Sequence, residues 1–130
     1  MTDTIRRYES GVFCARIFNT NTNTLITREE IDSISYTAFK LTTKSLMSSS
    51  VTRTAITGHT QIAVDKTETL LEEAIKDNYW TLDDPGYNFI HIPDTRENAM
   101  FSDSGNYEVV YTINLVSGNP VILTFSVTVA

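Results

Sequence analysis

Hydrophobic and polar positions alternate most regularly in the last quarter of the chain. From Asn106 the segment NYEVVYTINLV carries a large apolar or aromatic side chain at every second residue, and PVILTFSVTVA, from Pro120, repeats the pattern. Because successive side chains of a strand point to opposite faces, each segment predicts a strand with one buried face. The short connection SGNP joins them into an antiparallel hairpin, which needs further strands to pack against.

Shorter stretches of β-forming residues predict those further strands. They lie at residues 11–18, 33–42, 60–64 and 87–92. The second of them, SISYTAFKLT, is partly apolar on both faces, which indicates an interior strand. Thr27, followed three residues later by Glu30, fits a capping box, so Arg28 to Ile31 are expected to form one helical turn.

One segment changes to a helical period. Over Thr67 to Lys76 the apolar side chains recur three or four residues apart, and charged side chains fall between them. This spacing predicts an amphipathic helix capped by Asp65 or Thr67. By contrast, NTNTNTLIT (19–27) and TKSLMSSSVTRT (43–54) are rich in Asn, Ser and Thr without any period, and we expect both to be loops.

Many short strands, one helix and polar connections predict a mainly β protein. The architecture that we expect is an antiparallel, immunoglobulin-like β-sandwich with one short helix. At 130 residues the chain has the length of one domain. Residues 1–10 are expected to form an N-terminal arm and residues 11–130 a single β-sandwich domain.

The net charge of −6 is unevenly distributed. Residues 1–66 contain eight Lys or Arg against six Asp or Glu, whereas residues 67–130 contain two against ten. A nucleic-acid-binding protein is expected to carry a basic stripe, so nucleic acid is not an expected partner. No apolar run reaches the roughly 20 residues that cross a bilayer, and no signal-peptide pattern follows Arg6 and Arg7, so neither a membrane nor secretion is expected. The single cysteine, Cys14, excludes an intrachain disulfide.

Candidate groups for chemistry are few and widely spaced. The two histidines, His59 and His91, are more than 30 residues apart and lack a metal-ligand spacing, so we expect no enzyme, no cofactor and no transition-metal site. Loop carboxylates leave a Ca²⁺ site open, although their spacing is not that of an EF-hand. These carboxylates are Asp83, Asp84, Asp94 and Asp103. Aromatic residues around the predicted turn leave stacking on a sugar open, with burial in the core as the commoner alternative. They are Tyr79, Trp80 and Tyr87.

The segment before the C-terminal hairpin contains a short motif. Asp103, Gly105 and Tyr107 form D-x-G-x-Y, which resembles the tyrosine corner of immunoglobulin-like domains. The resemblance implies a buried tyrosine ring whose hydroxyl bonds to upstream backbone, which is a structural role. The chain lacks the Cys pair with an intervening Trp, and this argues against an antibody-like or receptor-like domain.

The order of segments along nearly the whole chain resembles small β-sandwich proteins of tailed bacteriophages and prophages. The most distinctive piece is Trp80-x-x-Asp83 followed by Gly86-Tyr87-Asn88-Phe89. The resemblance implies a structural or adaptor subunit of the virion, at the head-tail neck, the tail or the baseplate, that is assembled in the host cytoplasm.

Its partners would be other virion proteins, with several copies around a symmetry axis. The two polar segments and residues 1–10 are expected to contact neighbouring subunits. Basic and acidic residues of the two halves are candidates for the interface between copies. These are Arg6, Arg7, Arg16, Glu68, Glu72, Glu73 and Asp77. The alternative is a module that binds carbohydrate or a host surface.

Overall fold

A computed structural model describes residues 2–5, 11–19, 22–43, 51–77, 79–80, 82–83, 85–96 and 98–129. Its strands in chain order are β1 (Thr2–Ile5), β2 (Phe13–Ala15), β3 (Phe18–Asn19), β4 (Thr24–Leu25), β5 (Ile31–Thr43), β6 (Val51–Ala55), β7 (Ile62–Val64), β8 (Leu70–Ile75), β9 (Tyr87–His91), β10 (Gly105–Leu115) and β11 (Val121–Val129). A 3-10 turn covers Arg28–Glu30 and an α-helix, α1, covers Lys66–Thr69. The protein is therefore mainly β with one short helix, as predicted.

The larger sheet has the strand order β1-β11-β10-β5-β6, and β7 pairs with a separate part of β5. The predicted C-terminal hairpin is confirmed, with β10 and β11 antiparallel from Gly105↔Val129 to Ile113↔Val121. The predicted interior strand is also confirmed, because β5 lies between β10 and β6. Within this sheet β1 runs parallel to β11, and the remaining pairs are antiparallel.

The smaller sheet has the order β2-β9-β8, and β3 and β4 form a separate short hairpin. The single strand predicted over residues 11–18 is wrong, since it divides into β2 and β3. The cause lies at Ile17, whose backbone N–H and C=O are both bound by the side chain of Asn88, at 2.7 and 3.1 Å. The Asn88 amide takes the place of a ladder partner from β9, and the Ile17 carbonyl oxygen also accepts the Ile26 N–H at 3.0 Å, so the chain leaves the small sheet there.

The predicted helix over Thr67 to Lys76 is wrong beyond its first turn. Helix α1 begins after Asp65, whose carboxylate accepts the Thr67 N–H at 2.8 Å, and gives way to β8 at Leu70. Leu70 is fully buried opposite Phe89 of β9. A four-residue helix is barely past nucleation, and pairing with β9 gives the following backbone its hydrogen bonds.

The predicted loop over residues 43–54 is also wrong at both ends. Thr43 belongs to β5, and Val51–Ala55 is β6, which pairs with β5 from Phe39↔Ala55 to Thr43↔Val51. Threonine and valine are good strand formers, so a hydroxyl-rich sequence can extend a sheet edge. Residues 44–50 lie outside the described part of the chain. The predicted helical turn is confirmed as Arg28–Glu30.

The core lies between the two sheets. Phe13 of the small sheet contacts Tyr111 and Phe125 of the large sheet, with ring centroids 6.1 and 5.1 Å apart. Phe89 meets Tyr111 edge to face at 5.2 Å. The alternating residues of the C-terminal hairpin supply much of the buried surface, which confirms the pattern read from the sequence. In the described residues no helix is long and apolar enough to cross a membrane.

Candidate functional site

The motif Trp80-x-x-Asp83 forms a hydrogen-bonded cluster with Arg16. The guanidinium of Arg16 binds both carboxylate oxygens of Asp83, at 2.6 and 2.8 Å, and donates to the carbonyl oxygen of Gly86 at 3.2 Å. Asp83 also accepts the indole N–H of Trp80 at 3.0 Å and the backbone N–H of Gly86 at 3.2 Å. The bonds from Arg16 and Trp80 hold the pKa of the Asp83 carboxyl well below its ordinary value. The Asp83 carboxylate thus binds the turn that contains Trp80 and Gly86 to Arg16, which follows β2 directly.

The residues after Asp83 complete the same cluster. Gly86 has φ +82°, and a Cβ there would lie 1.8 Å from the carbonyl oxygen of Ile75. The buried phenol of Tyr87 donates to the Asp77 carboxylate at 2.6 Å. Burial and this carboxylate raise the pKa of the Tyr87 phenol. Asn88 binds the backbone of Ile17, as described above. The most distinctive motif of the sequence is thus accounted for by contacts that fix the fold.

His59 is fully buried between two partners. Its Nε2 lies 2.6 Å from the carbonyl oxygen of Asn98, and its Nδ1 lies 2.7 Å from the hydroxyl of Tyr36. A carbonyl oxygen only accepts, so Nε2 donates to Asn98, and Nδ1 shares the second hydrogen bond with the Tyr36 hydroxyl. Both ring nitrogens are used within the core, which leaves neither for a metal ion or a substrate.

His91, at the end of β9, is half-buried. Its Nδ1 lies 2.6 Å from the hydroxyl of Tyr111, and its ring lies 5.4 Å from that of Tyr36. Burial lowers the pKa of His91 to about 4, so the imidazole is neutral at pH 7 and its Nδ1 accepts a hydrogen bond from the Tyr111 hydroxyl. His91 lines a groove of about 500 Å³ together with Asp65, Glu68 and Asp94. The groove is acidic, yet no group of three metal-ligating side chains occurs among the described residues.

The three described carboxylates considered for Ca²⁺, Asp83, Asp94 and Asp103, each bind a different basic side chain. Asp83 binds Arg16, as described above. Asp94 binds Arg96 with its Oδ2 2.7 Å from the guanidinium, and Asp103 lies 3.4 Å from the Lys40 ammonium. The aromatic residues considered for sugar stacking do not form one exposed surface. Trp80 and Tyr87 are buried, and only Tyr79 of the three is exposed. Asp84 lies outside the described residues.

The predicted corner lies at the start of β10. The hydroxyl of Tyr107 donates to the backbone carbonyl oxygen of Asp103 at 2.8 Å, and the Tyr107 ring is buried against Phe101 at 5.0 Å. Gly105 has φ +143°, a backbone conformation that favours glycine. In D-x-G-x-Y, Asp103 supplies the carbonyl oxygen that accepts the hydrogen bond, Gly105 allows the turn, and Tyr107 supplies the hydroxyl donor.

The charged residues considered for an interface divide into two groups. Arg16 and Asp77 are engaged within their own chain, by Asp83 and Tyr87 respectively. Glu68 and Glu73 are exposed on α1 and β8, and Glu72 lies 3.6 Å from Arg28. Arg6 and Arg7 lie outside the described residues. Among the candidates that the structure describes, Glu68, Glu72 and Glu73 present their charges outward.

An apolar groove beside β2 is the surface that sequence reasoning missed. Its volume is about 240 Å³, and it lies where the edge strand β2 of the small sheet approaches β11. Leu82 projects at its rim with 65% of its surface exposed. The groove is lined by Cys14, Ala15, Arg16, Trp80, Leu82, Leu123, Thr124 and Phe125. Leu82 is a single apolar residue among turn-forming residues, so the sequence shows no hydrophobic period there. Its position beside β11 is seen only in the fold.

Comparisons with known proteins return nothing: no protein-family model, no curated protein and no solved structure matches this chain.

Proposed function

We propose that this protein is an immunoglobulin-like structural or adaptor subunit of a tailed bacteriophage virion, located at the neck, tail or baseplate and acting through protein-protein packing. Neighbouring virion proteins are its partners, and several copies surround a symmetry axis. Assembly takes place in the host cytoplasm. The apolar groove beside β2 is the single observation that carries the packing role.

The strand order supports the immunoglobulin-like part of the proposal. The series β11-β10-β5-β6 corresponds to strands G, F, C and C′ of a variable-type immunoglobulin sheet, and β2-β9-β8 corresponds to B, E and D. Val109 stands two residues after Tyr107, where antibody domains carry a cysteine. Here Val109 is fully buried in an aromatic core, which replaces the inter-sheet disulfide.

The chemistry of the groove favours a protein partner. Its lining is mostly apolar, and the charge of Arg16 in that lining is neutralised by Asp83. An exposed leucine beside a concave apolar surface is typical of the anchor region of a protein interface.

The catalytic and carbohydrate alternatives have weaker support. His59 is hydrogen-bonded within the core and His91 to the buried Tyr111, and the aromatic side chains near the groove do not form an exposed stacking platform. A sugar site normally combines an exposed ring with a polar concave surface. We therefore propose no enzymatic activity and no cofactor.

The experiment is complementation of a phage or prophage that lacks this gene. Leu82→Glu places a charge at the groove rim, and Val116→Glu is the matched control because Val116, 68% exposed, lies beyond the end of β10. Purified particles are assayed for the protein by quantitative immunoblot. We expect Leu82→Glu to reduce incorporation and Val116→Glu to preserve it, with unchanged melting temperatures for both. Equal incorporation of the two variants would contradict a packing role for the groove.

A further inference from the structure

The outer face of the larger sheet is almost uncharged. Small hydroxyl and apolar side chains alternate with the buried ones along its three long strands, and the ion pair between Arg53 and Glu108 is the one that the structure describes there. The outward side chains are Ser33, Ser35, Thr37, Phe39 and Leu41 on β5, Asn106, Glu108, Val110, Thr112 and Asn114 on β10, and Ile122, Thr124, Ser126 and Thr128 on β11; the exposed Asp32 lies at the end of this face, where the register between β5 and β10 shifts. Depletion of charge at the centre of a patch distinguishes protein interfaces from ordinary surface.

This face has a hollow and a projection side by side. The hollow has a volume of about 440 Å³ over β5 and β10. Its lining consists of Ser35, Tyr36, Thr37, Phe39, Gln61, Val110 and Thr112. Ile122 projects from the adjacent strand β11, directly opposite Thr112, with 54% of its surface exposed. A two-fold axis between the hollow and Ile122 would place Ile122 of each copy in the hollow of the other copy. A two-fold interface requires this kind of self-complementary surface.

Size and charge both fit a second copy of the chain. At about 3.4 Å per residue and 4.8 Å between strands, the strand residues of the larger sheet cover roughly 700 Å². A standard interface buries about 800 Å² per partner, so the face is close to sufficient. Because each chain carries a net charge of −6, two copies repel one another least where they meet through a neutral surface.

We propose that the outer face of the larger sheet is a self-association surface through which two copies pack face to face, with Ile122 as the anchor. The surface adjoins the groove at Thr124, which belongs to both, but Ile122 points away from the core whereas the groove and Leu82 lie beside β2. The pairing of copies through one face leaves the groove of each copy available for a different protein.

Sedimentation equilibrium of the purified full chain over a range of concentrations tests this proposal. We expect reversible dimerisation, with Ile122→Glu raising the dimer Kd by roughly tenfold or more because a carboxylate is then buried in the hollow. Ile122→Val should retain dimerisation, and Leu82→Glu, on the other surface, should leave it unchanged. A chain that stays monomeric throughout, or a dimer that survives Ile122→Glu, would overturn the proposal. Neither result bears on incorporation into particles, which Leu82→Glu tests separately.

Discussion

His91→Gln is the substitution whose effect on stability follows most directly from the structure. The histidine is neutral in the folded protein because burial lowers its pKa to about 4, whereas an unfolded imidazole titrates near 6.5. Glutamine keeps a hydrogen-bond acceptor for Tyr111 and does not titrate. The substitution therefore removes the proton-linked component of stability and leaves most of the packing.

The sign and size follow from proton linkage. The unfolded chain binds a proton at His91 at a higher pH than the folded chain does, so stability falls as the pH decreases from about 6.5 towards 4. Relative to pH 7, the loss from this one group is about 2 kcal/mol at pH 5 and about 3 kcal/mol below pH 4. The pKa of Asp94, near the same groove, is lowered to about 2 by Arg96, so this carboxyl contributes little between pH 7 and 5.

Urea denaturation at pH 7 and pH 5, followed by tryptophan fluorescence, measures the difference. The wild-type chain should lose about 2 kcal/mol more than His91→Gln between these two pH values. Tyr111→Phe is the control, because it removes the hydroxyl partner but keeps His91 buried, and it should retain the wild-type pH dependence. Equal pH dependence of the wild type and His91→Gln would refute burial of a neutral His91.

Two further substitutions test contacts that fix the fold. Tyr107→Phe should reduce the free energy of unfolding by about 1 kcal/mol, because the hydrogen bond to Asp103 is lost. Tyr79→Phe, at an exposed position, is the control and should change the free energy of unfolding little. An equal effect of the two substitutions would contradict a role for the Tyr107 hydroxyl. Gly86→Ala should cost roughly 2–5 kcal/mol or prevent folding, since its φ is +82° and the added Cβ meets the Ile75 carbonyl. A Gly86→Ala protein that melts like the wild type would show that the turn is placed wrongly.

The β-rich part of the fold was predictable because its patterns are local. Alternation in β10 and β11 identifies the buried face directly, and the apolar faces of β5 mark it as an interior strand. The capped turn at Thr27 was predictable for the same reason, since Glu30 accepts from the Thr27 N–H within three residues.

The failures arise where distant residues decide the local structure. The spacing of Leu70, Leu71, Ala74 and Ile75 suits a helix. Leu70 and Ile75 instead pair with Phe89 and Tyr87 across an irregular stretch of β8. Pairing across the sheet overrides a weak helical preference. Arg16 was assigned to an interface because nothing local reveals that Asp83, 67 residues away, binds it.

Particle composition tests the central claim most directly. The phage, or the induced prophage, that encodes this chain is purified by density gradient, and its proteins are quantified by mass spectrometry against the major capsid protein. A structural or adaptor subunit should be present at a fixed copy number per particle. It should also remain after a high-salt wash, because salt screens surface ion pairs but does not weaken apolar packing. Particles that are infectious and complete without the chain would contradict the proposed role.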